Sequence, residues 1–234
     1  MACLCKEVAG DDIELSPTCI GSLWIFENLA PEDVQALAHK ALRKKLKKGE
    51  TVFMQGDCAN EVFLIKGGRI KLTKVLENGT ELMLDLRKSG DFVGENMFSE
   101  EGEYPVSAVC LEDTLTCGFT RSQFEELVLK HPTVGLQVIK TLSQRISWLT
   151  TRVGNLAVTN IEDRLYRVLS NVAKEHGAQS PKGMVIQFPL THEDLSFLTG
   201  AHRVTVTRAM KALKEAGKII LDGRQLILPA LNLA

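Results

Sequence analysis

The chain has 234 residues, of which 44% are hydrophobic and 24% charged, and its formal net charge is −1. These values are ordinary for a soluble globular protein of one to three compact units. No run of about 18 apolar residues occurs, which argues against a transmembrane helix. The N-terminal segment also lacks the apolar core of a secretion signal. We therefore expect a cytoplasmic protein that makes no membrane contact.

The charges are distributed unevenly along the chain. From Asn160 onward ten Lys and Arg residues stand against seven Asp and Glu, whereas the first 159 residues carry 18 against 22. A basic tail behind an acidic front is typical of a protein that binds DNA through its C-terminal part. The six cysteines of a cytoplasmic chain are thiols, metal ligands or redox sensors rather than structural disulfides.

The N-terminal half reads as an arm followed by a small β domain. Residues 1–20 predict a loose arm that contains cysteines, and Pro31-Glu32-Asp33 predicts the start of a short helix. From residue 42 to 120, short strand patterns alternate with glycine turns, including an Asn78-Gly79 hairpin signal. A second short helix ends this domain, and we expect Ser122 to cap that helix. We place the domain at residues 21–131. The pattern favours an all-β barrel or roll.

A long helix is predicted over residues 132–159. Its apolar residues recur at spacings of three and four, which is the heptad spacing of a coiled coil. A helix of this length spans roughly 39 Å. The seam favours a dimer interface, although a helix packed on its own barrel remains the alternative. The seam consists of Leu136, Ile139, Leu142, Ile146, Leu149, Val153 and Leu156.

The remaining residues, 160–234, predict a winged helix-turn-helix. Thr191 is suited to cap a first short helix, and Gly200 permits the turn into a longer basic helix that ends near Lys214. This arrangement matches the helix pair that reads DNA. A hairpin around Asp222-Gly223 follows as the wing. The whole chain is thus an α+β protein.

Several motifs resemble the CRP/FNR family of bacterial transcription regulators across nearly the whole chain. They are Gly56-Asp57, Gly67-Gly68-Arg69-Ile70, Gly90-Asp91, Gly94-Glu95, the Val153–Ala157 stretch and the Gly200–Leu213 segment. The resemblance implies a cyclic-nucleotide-binding-like β-roll, a dimerisation helix and a DNA-binding domain. It also implies an allosteric homodimer that binds a near-palindromic double-stranded site and contacts RNA polymerase.

The recognition helix departs from the family pattern at one position. The family segment often runs Arg-Glu-Thr-Val-x-Arg, and here Val204 replaces the acidic residue. Valine offers a partner for the thymine methyl group and none for cytosine N4. We therefore predict an A/T-rich site, as does the likeness of His202–Arg208 to the halorespiration regulators. The predicted DNA contacts are Thr191, His202, Arg203, Val204, Thr205, Thr207 and Arg208.

The effector site of the resemblance is also altered. Cyclic-nucleotide members hold the phosphate with an Arg-Ser-Ala stretch, which is Val106-Ser107-Ala108 here, so cyclic AMP is disfavoured. Residues 90–97 contain no cysteine or histidine for haem iron, which disfavours haem. An apolar or weakly charged effector remains open. The predicted pocket comprises Gly94, Glu95, Val106, Ser107, Leu149 and Thr150.

The cysteines leave three interpretations open. The oxygen sensor of the family holds an iron-sulfur cluster with four thiolates, for which Cys3, Cys5, Cys19 and Cys117 are the candidate metal ligands. A thiol-disulfide switch needs fewer of them. Alternatively, Cys58, Cys110 and Cys117 are buried small hydrophobes, and a small molecule supplies the signal.

The sequence contains no nucleophile elbow, phosphate loop, zinc pair or dinucleotide fingerprint, so we do not expect an enzyme. The interpretation is a sequence-specific transcription regulator controlled by a redox or oxygen signal or by a small effector. The alternatives are a cyclic-nucleotide-responsive regulator and an effector-binding module without a promoter target of its own.

Overall fold

The computed structural model describes residues 26, 29–188, 190–223 and 225–229. The chain divides into two compact units, one ending at Ser143 and the other beginning at Gln144. Among residues 29–143, the first unit holds eight strands, three α-helical segments and a 3-10 turn. In chain order these are α1 (Pro31–Lys40), β1 (Leu42–Leu46), β2 (Thr51–Phe53), β3 (Glu61–Gly67), β4 (Arg69–Val75), β5 (Glu81–Lys88), β6 (Phe92–Val93), the 3-10 turn Glu95–Phe98, β7 (Ser107–Cys110), β8 (Thr114–Thr120), α2 (Arg121–Lys130) and the first part of α3 (Pro132–Leu156).

Two antiparallel four-stranded sheets form the β-roll, with strand orders β1-β8-β3-β6 and β2-β7-β4-β5. Apolar residues alternate along β4, where Ile70 and Leu72 are buried and Arg69 and Lys71 are not. This period of two turns one face of each strand inward. The inward faces of both sheets share one apolar core, to which Phe63, Ile65, Ile70 and Phe92 belong. Such a closed roll matches the predicted fold class.

The turns and caps form where local chemistry favours them. The β4–β5 hairpin turns at Asn78-Gly79, where Gly79 has a φ of 79° and the Asn78 side chain accepts from the Thr80 amide. Helix α2 is capped by Thr120, which forms a capping box with Gln123. The prediction that Ser122 caps this helix is therefore wrong, because Thr120 already satisfies the helix amide.

The second unit carries the C-terminal elements. They are the rest of α3, α4 (Ile161–His176), β9 (Ala178–Ser180), β10 (Gly183–Ile186), α5 (His192–Thr199), α6 (Arg203–Glu215), β11 (Ile220–Asp222) and β12 (Gln225–Leu228). The four strands form one antiparallel sheet in the order β11-β12-β10-β9. The Asn160 side chain caps α4 by accepting from the amides of Glu162 and Asp163. Helix α4 buries Leu165 and Leu169 completely, which gives α5 and α6 a firm base.

Candidate functional site

The helix pair α5–α6 is built by a cap, a turn and a buried apolar face. The Thr191 hydroxyl and the Asp194 carboxylate form a capping box at the start of α5, with a distance of 2.6 Å between Thr191 Oγ1 and Asp194 Oδ2. Gly200 ends the helix in the left-handed region, at a φ of 62°. Helix α6 then buries Val206, Ala209, Met210 and Leu213. One side of α6 is therefore fixed and the other is presented outward.

Five of the seven predicted contact residues lie on α6, while His202 precedes α6 and Thr191 precedes α5. All seven predicted contact residues are exposed, and Val204 has 53% of its surface accessible. An exposed valine between two arginines supplies an apolar group beside two guanidinium groups. Arginine bonds guanine edges or phosphates, and valine contacts the thymine methyl group. This surface therefore has the chemistry of a major-groove reader.

A contact between the two helices orients part of this surface. His192 Nδ1 lies 2.9 Å from Thr207 Oγ1, and that hydroxyl is 3.0 Å from the Arg203 carbonyl. When the hydroxyl donates its proton to the carbonyl, His192 must donate from Nδ1, and Nε2 becomes the acceptor of the neutral ring. Arg203 is also held, with its Nε 3.7 Å from a Glu193 oxygen. His192 and Thr207 are 15 residues apart, so no local pattern in the sequence indicates this contact.

In the first unit, a glycine places the predicted effector residue Glu95. Gly94 has a φ of 93°, and a Cβ there would lie 2.6 Å from the Glu61 carbonyl. The chain therefore turns tightly into the 3-10 turn and directs Glu95 toward β5. Val106 is partly buried and packs against the apolar core. The Ser107 hydroxyl accepts from the Gln55 amide at 2.9 Å.

Glu95 meets a buried arginine that sequence reasoning missed. Arg87 Nη2 donates to Glu95 Oε1 at 2.8 Å, and Arg87 Nε donates to Asp85 Oδ2 at 2.9 Å. The third nitrogen, Nη1, donates to the Phe92 carbonyl at 3.1 Å. The side chains of Arg87 and Asp85 are only 8% and 7% exposed, and that of Glu95 is 27% exposed. We call these three residues the interior ion-pair network.

The predicted seam of α3 is exposed in the single chain. Ile139, Ile146 and Val153 are 60%, 65% and 68% exposed, and Leu136, Leu142 and Leu149 are also exposed. The side chain of Leu156 lies outside the described residues. Thr150, predicted for the effector pocket together with Leu149, donates its hydroxyl proton to the Ile146 carbonyl at 2.9 Å.

The structure describes three of the six cysteines. Cys110 and Cys117 are buried, and burial raises the pKa of the Cys110 thiol. Cys58 is exposed, so its interpretation as a buried hydrophobe is wrong. It lies in a loop outside the named strands and forms an isolated antiparallel β-bridge with Glu103. Cys3, Cys5 and Cys19 lie outside the described residues, so the predicted cluster stays a prediction.

Among residues 26, 29–188, 190–223 and 225–229, no group of three or more His, Cys, Asp or Glu side chains could hold a metal ion. Within the same ranges, no helix has the length and hydropathy needed to span a bilayer.

Two family models match the chain, and their order follows its two units. The model of the cyclic nucleotide-binding domain matches residues 43–131. The model of the Crp-like helix-turn-helix domain matches residues 163–232. The chain belongs to the CRP/FNR family. Membership confirms the predicted fold class and the prediction of a DNA-binding transcription regulator with a cyclic-nucleotide-binding-like domain.

Curated CRP/FNR relatives are similar over most of their length. The cyclic AMP receptor protein of Thermus thermophilus is 28% identical over 197 residues, which cover 84% of this chain and 88% of the relative. The anaerobic regulatory protein of Bacillus subtilis is 27% identical over 181 residues, with 77% and 76% covered. Both names describe regulatory or receptor proteins, and they differ in the signal that they indicate.

Solved structures of the family share the fold. The structure of the c-di-GMP-responsive global regulator CLP of Xanthomonas campestris superposes with a TM-score of 0.71 at 24% identity. The superposition covers 85% of this chain and 97% of that one. At this level of identity, the likeness establishes the CRP/FNR fold alone.

Proposed function

We propose that this protein is a cytoplasmic, non-enzymatic homodimer that binds an A/T-rich palindromic site and regulates transcription there through RNA polymerase. The observation that carries the proposal is the exposed face of α6, where Val204 lies between Arg203 and Arg208 while Val206 and Met210 are buried. The fixed inner face makes the outer face a rigid reader. A twofold partner supplies a second α6, which enters the next major groove about 34 Å away.

The exposed seam supports the dimer. A 25-residue helix that exposes leucine, isoleucine and valine at heptad spacing gains stability by burying them against a second helix. The polar residues between them, such as Gln144 and Ser147, lie on other faces of the helix. A parallel pair of α3 helices therefore covers the seam and joins two reading surfaces by twofold symmetry.

Selection from random duplexes tests the reading of DNA. We expect palindromes with a thymine or adenine at the position opposite Val204. The matched variant Val204→Glu restores an acceptor for cytosine N4 and should shift that one position toward G·C. A G·C pair opposite Val204 in every site selected by the unmodified protein would refute the A/T prediction. Failure of the protein to bind any selected duplex, in either redox state, would refute the proposed function.

The controlling signal acts either on the thiols or in the β-roll. Cys117 is 1% exposed, which makes it a slow ligand or disulfide partner unless β8 opens. An anaerobic absorbance spectrum with iron and sulfide assays separates these possibilities. Four iron-bound thiolates give a broad visible band and stoichiometric sulfide. A colourless, iron-free protein whose DNA binding ignores thiol oxidants would leave a small effector as the signal.

A further inference from the structure

Arg87 lies inside the β-roll. In the antiparallel β4–β5 ladder, Ile70 lies opposite Arg87 and Leu72 opposite Asp85. Residues directly opposite each other in such a ladder point to the same side of the sheet. Ile70 and Leu72 belong to the apolar core, so Arg87 and Asp85 project into the same interior. This β-roll is the part of the chain that the model of the cyclic nucleotide-binding domain matches.

The charged groups that could bind a nucleotide in this interior are already paired with other groups of the protein. A cyclic nucleotide requires a cation for its phosphate and an acceptor for its one free ribose hydroxyl. Val106 supplies no charge. Each guanidinium nitrogen of Arg87 already donates to a protein oxygen, and two of these oxygens belong to the carboxylates of Asp85 and Glu95, which offset its positive charge. Glu95 in turn spends one carboxylate oxygen on Arg87. A nucleotide that displaced Glu95 or Asp85 from Arg87 would break a buried ion pair and leave a charge uncompensated.

We propose that Arg87 is a specificity-determining residue that excludes cyclic nucleotides from this β-roll by holding Glu95 and Asp85 in an internal network. The proposal rests on the proposed function, in which the β-roll is the sensor of a DNA-binding regulator. The network would disfavour nucleotide binding in addition to the missing positive charge at Val106. Effectors that fit must leave the network intact, so they are apolar or weakly charged.

Calorimetric titration of the full chain with cyclic AMP tests the proposal. Four proteins are compared: the unmodified chain, Val106→Arg, the pair Asp85→Asn with Arg87→Leu, and all three changes together. Asparagine at position 85 keeps the acceptor for the Leu86 amide while its charge is removed together with that of Arg87. We expect the triple variant to bind cyclic AMP at least about tenfold more tightly than Val106→Arg, and the other two proteins to show no binding.

Two results would overturn the proposal. If Val106→Arg binds as tightly as the folded triple variant, Arg87 excludes nothing. If the unmodified chain binds cyclic AMP and the Asp85 and Arg87 pair of changes abolishes it, Arg87 is the phosphate partner instead. Should the triple variant fail to fold, Val106→Arg with Arg87→Lys decides. A lysine ammonium is a compact charge without the planar fork of arginine, so it cannot reach Asp85, Glu95 and the Phe92 carbonyl with the same geometry. This variant should therefore bind more tightly than Val106→Arg alone, and equal binding counts against the proposal.

The titration contains no DNA, so its outcome is independent of the reading surface. A protein that binds no selected duplex would fail as a regulator while the comparison of the four proteins kept its meaning. A protein that binds its duplex and accepts cyclic AMP without the changes would keep the proposed function and lose the proposed role of Arg87.

Discussion

The interior of the β-roll and the outer face of α6 use arginine in opposite ways. Arg87 is buried between two carboxylates and a carbonyl, whereas Arg208 projects from a helix whose inner face is fixed by Val206 and Met210. In the first unit the charge of Arg87 is neutralised by carboxylates of the protein itself. In the second unit the charge of Arg208 is exposed, and the proposed function brings it to the DNA. The same side chain is thus neutralised inside the protein in one unit and left available to a ligand in the other, according to the groups that surround it.

The exposed seam of α3 gives the largest expected effect, because its apolar side chains are exposed to water in the single chain. Replacing Ile146 and Leu149 with Ala removes four apolar side chains from a twofold interface. We expect the dimer to weaken by at least about 4 kcal/mol, or roughly a thousandfold, with a parallel loss of DNA binding. Analytical ultracentrifugation measures the dimer, and Lys140→Ala with Gln144→Ala is the control on other faces of the same helix. A tight dimer in the seam variant would show that the seam is not the interface.

Removing the buried arginine should affect folding and leave the reading surface intact. Arg87→Met leaves the Asp85 carboxylate buried without its guanidinium partner, and we expect a loss of about 3 kcal/mol in the free energy of unfolding. Urea denaturation measures it. Adding Asp85→Asn should recover most of the loss, because the charge that needed compensation is gone. Equal stability of Arg87→Met and the unmodified chain would mean that the network is not closed as described.

Removing an exposed arginine from α6 should weaken DNA binding and leave the stability of the fold unchanged. Arg208→Ala should leave the free energy of unfolding unchanged and weaken DNA binding by about 2 kcal/mol. Fluorescence anisotropy at several salt concentrations separates a base contact from a phosphate contact, since a lost phosphate contact lowers the salt slope by about one. The control is Arg167→Ala, which removes an exposed arginine from α4. Equal losses in both variants would indicate general charge rather than a reading contact.

The smallest effect concerns the ion pair that ties α1 to α2. Lys130 donates a hydrogen bond to Asp33 and holds the pKa of that carboxyl below its usual value, with a further contribution from His131. A carboxyl with a lowered folded pKa stabilises the protein above its unfolded pKa of about 3.9, and this contribution is lost as pH falls through the folded pKa. Unfolding midpoints of the unmodified chain and Asp33→Asn should therefore converge below about pH 3. The control is Glu32→Gln, and midpoints that differ equally at pH 7 and pH 3 would exclude the pair as the cause.

Most of the fold follows from local patterns in the sequence. The heptad spacing predicted α3, the Asn78-Gly79 signal predicted the β4–β5 turn, and the Thr191 and Gly200 chemistry predicted the helix pair. The cap of α2 was misplaced because Thr120 and Ser122 are both good capping residues two positions apart. In the structure β8 ends at Thr120 and the helix begins at Arg121, so Thr120 takes the cap.

The interior network could not be predicted because it opposes the apolar alternation of its own strand. Leu82, Leu84 and Leu86 alternate with Met83, Asp85 and Arg87 in β5, and a period of two favours the leucines as the inward face. The register with β4 turns Asp85 and Arg87 inward instead. Their partner Glu95 follows only after a loop and a left-handed glycine. Sequence spacing carries no signal for such a three-way contact.

The central claim is that the DNA-reading surface of this CRP/FNR protein works while its sensor interior is closed to nucleotides. The most direct test is to titrate a selected, labelled palindrome with the unmodified protein, with and without a large excess of cyclic AMP. We expect the two binding curves to agree within about twofold. An effector that couples to DNA binding shifts affinity about fivefold or more, so a saturable shift of that size with cyclic AMP would contradict the claim.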